Sequence, residues 1–153
     1  VHLFFEEKLW FDPGDGEFPV LDIGPCRIGM MVCFDWFFPE SARTLALRGA
    51  QIIAHPSNLV LPYCQTAMFA RCLENRVFAA TTNRYGTEEL ADQSLTFTGA
   101  SQIMTPRGER LSQASNEGDC VSVVGIDPAA DDDKHVTARN DLFADRRPEM
   151  YAW

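Results

Sequence analysis

Read for the spacing of apolar and polar positions, the chain opens on the apolar stretch Val1-His2-Leu3-Phe4-Phe5, which predicts a strand. After Phe11, Asp12-Pro13-Gly14-Asp15-Gly16 predicts a turn, because Pro presets φ and Gly supplies positive φ. Val20–Ile23 reads as a strand, Gly24-Pro25 as a second turn, and Cys26–Val32, rich in Ile, Met and Val, as a buried strand. Beyond the Phe34–Phe38 bend the period changes to that of a helix over Pro39–Arg48. Pro39 suits the first turn, Glu40 the positive end of the dipole, Ala42, Leu45 and Ala46 share a face, and Gly49 stands where a C-cap belongs. Gln51–Ala54 is a short apolar strand ended by His55-Pro56, so strand, helix and strand form a βαβ unit with a parallel pair. A second helix over Tyr63–Asn75, opened by Pro62 with Ala67, Ala70, Arg71 and Glu74 at helical spacing, leads to a strand Val77–Thr82. From Leu95 the helical period is gone: Ser101–Met104, the turn Pro106–Glu109 and Arg110–Gln113 read as a hairpin, and Val121–Ile126 as a further strand. Asp131–Asp133 reads as a solvated loop, and the tail Asn140–Trp153 is too aromatic and too basic for a frayed end. The fold class is α/β.

Composition narrows the function classes. With 153 residues, 46% of them hydrophobic and 23% charged, one domain with a sizeable core is expected and disorder is excluded. A formal charge of −9 repels phosphate backbones, so nucleic acid is not an expected partner. Five cysteines, an odd number with no CxxC pair, suit a reducing compartment. No apolar run approaches the roughly 18–20 residues of a membrane span and no leader-like segment opens the chain, so a cytoplasmic protein without membrane contact is expected. The start at Val1, with no Met and already inside an apolar run, suggests a fragment.

Among residues that could do chemistry, Cys33 stands apart. It closes the strand Gly29-Met30-Met31-Val32 just before the bend and the helix at Pro39, and open α/β sheets bind ligands beyond the carboxyl ends of their strands. A thiol there is activated if a helix N-terminus or a cation lowers its pKa; buried in apolar surroundings it is only a packing residue. Cys64 and Cys72 on the second helix, and Cys26 and Cys120 in strand patterns, read as packing residues. His2, His55 and His135 are scattered without a metal-ligand spacing, Gly99-Ala100-Ser101 lacks the second Gly of a serine nucleophile elbow, and no phosphate loop occurs. The carboxylates Glu7, Asp35, Glu40 and Glu74 read as surface or ion-pair groups.

Three blocks make the pattern specific: Glu7-Lys8-Leu9-Trp10-Phe11-Asp12-Pro13-Gly14-Asp15; Gly29-Met30-Met31-Val32-Cys33-Phe34-Asp35-Trp36-Phe37-Phe38-Pro39-Glu40; and Arg43 with Gly49-Ala50. Pro56-Ser57-Asn58-Leu59, Arg71 with Leu73-Glu74-Asn75-Arg76, Asn83-Arg84 with Gly86, and Asn140-Asp141 with Arg146-Arg147 continue it. Across nearly the whole chain the sequence resembles the carbon-nitrogen hydrolase (nitrilase) superfamily, in particular the branch containing archaeal aliphatic nitrilases and related amidases.

The resemblance implies an αββα sandwich whose N-terminal strands and helices lie outside this chain, which is then the C-terminal part of a single domain over residues 1–153, with an arm from about residue 134 to 153. It implies that Cys33 is the nucleophile, that Glu7 matches the family's second glutamate, and that the Phe34 backbone N–H stabilises the developing oxyanion. The family's lysine belongs immediately before Val1 and its first glutamate further upstream; Lys8 is not that lysine. No metal and no cofactor are implied. Relatives acting on N-carbamoyl amino acids carry an Arg where this chain has Asp35 and Trp36, so a carboxylate-bearing substrate is disfavoured. Trp36, Asn58 and Leu59 are expected to border a pocket for a small neutral nitrile or amide, Trp36 being equally suited to the core. The expected activity is hydrolysis of a small nitrile or amide through a cysteine thioester or thioimidate, in a homodimer or larger assembly. The alternatives are an aliphatic amidase instead of a nitrilase, or a non-catalytic domain kept for dimerisation or partner binding. As given, the 153 residues are expected to be inactive alone.

Overall fold

The computed structural model describes residues 1–90 and 93–151, so Trp153, the last residue of the aromatic tail read above, lies outside the described residues. A six-stranded mixed sheet forms the frame. Its strands β1 (Val20–Asp22), β2 (Arg27–Met30), β3 (Ile52–Ser57), β4 (Phe78–Asn83), β7 (Gln102–Met104) and β8 (Arg110–Gln113) lie in that order. β2, β3 and β4 run parallel, joined by the helices α1 (Pro39–Leu47) and α2 (Cys64–Asn75), while β1, β7 and β8 pair antiparallel at the flanks. The expected α/β class and the βαβ unit are therefore both present.

Parity along the parallel strands sets the layers. Gly29, Ile53 and Ala79 stand in one row of the register, with Met104 beside them, and all are buried. The helices cover this face. α1 buries Ser41, Ala42, Leu45 and Ala46, and α2 buries Cys64, Met68, Cys72 and Asn75, each set at helical spacing. Burying a side chain such as Leu45 stabilises the fold by about 1.5–3 kcal/mol. The buried stripe of α2 is rotated from the expected one: Ala70 is exposed, and Ala67, Arg71 and Glu74 only flank the seam. α1 reaches the sheet closely because Gly29 lacks a side chain; a Cβ there would stand 3.0 Å from Ala50 Cβ and from Leu45 Cδ2. α2 stops at Arg76, whose left-handed backbone (φ 50°) returns its N–H to the Cys72 carbonyl.

Several sequence expectations are corrected. Val1–Phe4 is not a strand but an irregular segment, held where the His2 N–H donates to the Asp35 carboxylate at 2.9 Å, that leads into a 3₁₀ turn, Phe5–Leu9. His55-Pro56 does not end β3. Past Ala54 the β2 side of β3 is free, because β2 has already turned away, so the missing N–H of Pro56 removes no ladder bond. Tyr85–Leu90 and Gln93–Thr98 form a separate antiparallel pair, β5 and β6, that the apolar pattern did not announce, since most of its residues are exposed. Val121–Ile126 is irregular, with Val121 and Val123 more than nine-tenths exposed; it meets the edge strand β8 through the Ser112 and Ser122 hydroxyls instead of through a ladder. Cys120 is correspondingly exposed, whereas Cys26, Cys64 and Cys72 are buried as expected. Asp131 is no solvated loop residue: it is buried and accepts from Arg76 at 3.1 Å and Arg107 at 3.3 Å. In the tail, β9 (His135–Thr137) and β10 (Asn140–Asp141) make a short ribbon, and Phe143 packs on the core with the Arg43 guanidinium 5.2 Å from its ring centre.

Candidate active site

The carboxyl ends of β2, β3 and β4 open on the same side, and the segments leaving them build the site. After β2 the chain enters a 3₁₀ helix, Cys33–Phe37. Asp35 starts it by accepting the Val32 N–H at 3.0 Å. Cys33, at the head of this turn, holds a left-handed backbone (φ 42°), a conformation that costs a non-glycine residue energy and persists only where its surroundings enforce it. The surroundings are visible. His55 of β3 places its Nε2 at 2.9 Å from the Cys33 carbonyl oxygen, and α2 donates from the Arg71 guanidinium to the Trp36 carbonyl at 3.3 Å.

After β3, residues Asn58–Leu61 form the opposite wall. Asn83, buried at the end of β4, secures it: its Oδ1 accepts the Leu59 N–H at 2.8 Å, and its Nδ2 donates to the Thr98 hydroxyl at 2.9 Å and to the Gly99 carbonyl at 2.6 Å. Between the walls lies a shallow cleft lined by Phe4, Cys33, Phe34, Trp36, Asn58, Leu59, Val60 and Leu61. The structure thus brings Cys33, Phe34, Trp36, Asn58 and Leu59 to one cleft. Trp36 is 4% exposed and belongs to the core cluster while also lining the cleft.

Glu7 does not line that cleft. It is exposed, accepts the Phe4 N–H at 2.7 Å, and borders an adjoining groove that shares Phe4, Asn58 and Val60 with the first. It is still close enough for its charge to act on the thiol. Burial pushes the Cys33 thiol above its usual value, the Asn58 N–H pulls it down, the Glu7 charge raises it, the Phe34 N–H lowers it and Asp35 raises it again; the net direction is upward. Both side-chain charges felt by the sulfur among the described residues are negative. Full activation of the thiol therefore needs a cation or a base beside it.

The arrangement suits nucleophilic chemistry at a small apolar centre: a half-buried thiol, two backbone N–H groups directed at it, and aromatic walls. Sequence reasoning missed two residues that shape it, His55 and Asn83. The signal for His55 was the parity of Ile53 and His55 along β3; reading His55-Pro56 as a strand end concealed it. On the tail ribbon, Asp133, His135 and Asp141 converge: the His135 ring hydrogen-bonds to the Asp133 carboxylate at 2.7 Å, and the Asp141 carboxylate stands 3.7 Å from the same ring nitrogen. No described helix is long and apolar enough to cross a membrane.

Comparison with known proteins agrees with this geometry. The family model "Carbon-nitrogen hydrolase" matches residues 1–131. A nitrilase of Pyrococcus abyssi is 50% identical over 99% of this chain and 56% of its own length, and a citrullinase of Francisella tularensis is 32% identical over 96% of this chain and 54% of its own. Among solved structures, a variant of the amidase from Nesterenkonia sp. AN1, which shows covalent addition of the acetamide moiety of fluoroacetamide at its active-site cysteine, superposes with a TM-score of 0.77 and 30% identity, over 97% of this chain and 52% of that one. The chain spans about half the length of the relatives it matches. A match over residues 1–131, with these relatives and this fold, shows that the chain belongs to the carbon-nitrogen hydrolase family.

Proposed function

We propose that this chain carries the nucleophile and the substrate cleft of an enzyme that hydrolyses a small neutral amide or nitrile. The observation that carries this reading is Cys33, held with positive φ at the mouth of an apolar cleft with the Phe34 and Asn58 N–H groups turned toward its sulfur. On an amide, the Cys33 sulfur, giving up its proton to a base, bonds to the carbonyl carbon. The oxygen takes the negative charge and is stabilised by the Phe34 N–H. The C–N bond breaks as the nitrogen collects a proton and leaves as ammonia, giving a thioester. Water adds to it, the C–S bond breaks, and the acid and the thiol are restored. A nitrile enters by addition across C≡N to a thioimidate; water then adds and ammonia leaves to reach the same thioester.

Glu7, from its place beside Asn58 and from the family pattern, serves as the accessory glutamate near this path. Among the described residues, the charged groups acting on Cys33 are the carboxylates Glu7 and Asp35, neither the principal base nor the cation that the thiol requires, and the chain alone is proposed to be inactive. The nitrilase reading rests on the 50% identity to the Pyrococcus protein, the amidase reading on the structural likeness to the Nesterenkonia one. Apolar cleft walls without a cation favour an uncharged acyl group over a carboxylate-bearing one. Free cysteines suit a cytoplasmic setting, and the arm from about residue 134 is proposed to help form a homodimer. The test is ammonia release by the protein at its natural length on small nitriles, small amides and N-carbamoyl amino acids. Turnover of the first or second class, lost in Cys33→Ala, is expected. Turnover of carboxylate-bearing substrates alone, or unimpaired turnover in Cys33→Ala, would refute the proposal.

A further inference from the structure

His55 is 1% exposed and every polar contact of its ring is accounted for. Nε2 lies 2.9 Å from the Cys33 carbonyl oxygen and 3.0 Å from the Ser57 hydroxyl, and Nδ1 lies 3.1 Å from the Thr81 hydroxyl. A carbonyl can only accept, so Nε2 carries the proton and donates it to Cys33. Nδ1 then accepts from the Thr81 hydroxyl, which fixes one neutral tautomer. Burial holds the imidazole pKa below its usual value, with the bond to the Cys33 carbonyl and the Asp35 charge working the other way, a net direction that favours the neutral ring.

The Cys33 carbonyl and the Phe34 N–H are two ends of one planar trans peptide unit, and they point in opposite directions. Whatever holds the oxygen aims the N–H. His55 pulls the oxygen into the buried side of the sheet, so the Phe34 N–H is turned outward to the cleft and the Cys33 sulfur. We propose that His55 is a positioning residue for the oxyanion-stabilising N–H: with Thr81 setting its tautomer, it locks the 33–34 peptide plane in the reactive orientation and sustains the positive φ of Cys33. It touches no substrate. This inference rests on the reading of Cys33 as nucleophile and of the Phe34 N–H as oxyanion donor.

The test uses the protein at its natural length and the best substrate of the ammonia panel, with His55→Leu, His55→Gln and Thr81→Val compared for kcat, KM, thermal unfolding and the rate of Cys33 alkylation by iodoacetamide. Misaiming one oxyanion donor lowers kcat by about 100-fold, so His55→Leu is expected to lose kcat on that order with KM nearly unchanged, and to alkylate more slowly at neutral pH. His55→Gln, whose amide N–H reaches the same carbonyl, is expected to regain most of the loss. Thr81→Val, which keeps the ring but frees its tautomer, is expected to lose kcat by about tenfold while remaining folded. A folded His55→Leu with native kcat, or equal losses in the Leu and Gln variants, overturns the inference; if His55→Leu does not fold, native kcat in Thr81→Val overturns it. Cys33→Ala, assayed beside them, separates the two levels: its inactivity leaves only the His55 role in question, and its activity removes both.

Discussion

Asp35, two residues past Cys33, is buried and accepts from the Val32 N–H at 3.0 Å, the His2 N–H at 2.9 Å and the His2 ring at 2.8 Å. Burial alone pushes its carboxyl up, but these donors together outweigh it and hold the group below its ordinary value. A lowered folded pKa contributes stability that is present above the unfolded value near pH 4 and is lost as pH falls through the folded one. Asp35→Asn should therefore cost on the order of 3 kcal/mol at pH 7 and flatten the acid side of the stability profile, as followed by urea unfolding between pH 7 and about pH 3. An unchanged acid limb would mean that Asp35 does not tie the Val1–Phe4 segment to the Cys33–Phe37 turn. The neighbouring cysteines differ by environment. Burial raises the thiols of Cys64 and Cys72 to about 12, so alkylation at neutral pH should reach the exposed Cys120 and the half-buried Cys33, and only the second should track loss of activity. Peptide mapping of Cys120→Ser protein checks this, and inactivation without Cys33 labelling would contradict it.

At the scale of elements, the Cys33–Phe37 turn and the Asn58–Leu61 wall are placed by strands and held by side chains from neighbouring strands. Asn83 is the clearest such tie. Asn83→Ala leaves the buried Leu59 N–H unpaired, a cost of about 1–3 kcal/mol, and should raise KM more than it lowers kcat, as steady-state kinetics would show. The helices and parallel strands were legible because their apolar period is strong: Ala42, Leu45 and Ala46 lie where the pattern put them, and Cys33 follows the strand predicted before it. Elements without a buried face were not. β5 and β6 carry alternating polar residues exposed to solvent, and Val121–Ile126 has strand composition but forms no ladder. Long-range polar partnerships were equally invisible. Asp131 finds Arg76 and Arg107, and His55 finds the Cys33 carbonyl, through contacts that no local window contains. In the site, residue types in family order brought Cys33, Phe34, Trp36, Asn58 and Leu59 forward, whereas the groups that orient them emerged only from the fold.

For the whole molecule, one face of the sheet is covered by α1 and α2, and the other leaves Met30 and Val32 substantially exposed. The tail brings Phe143 to the core while Met150 and Tyr151 remain exposed, which suits an arm that completes its burial on a second copy. Light scattering should give the protein at its natural length a mass of at least two subunits, and a version ending at Asp133 a smaller one; a monomeric mass for the untruncated protein would remove the arm's proposed role. The charge around Cys33 belongs to this scale too. Among the described residues, the side-chain charges acting on the sulfur are those of Glu7 and Asp35, and both raise the thiol. The most direct measurement is an acid-quenched peptide map of the protein at its natural length during turnover of a small amide or nitrile. An acyl group in thioester linkage on the peptide containing Cys33, absent from Cys33→Ala and accumulating before the first burst of ammonia ends, is the expected result. Steady turnover with Cys33 unmodified at every time point, or an acyl group on another residue with activity intact in Cys33→Ala, would contradict it.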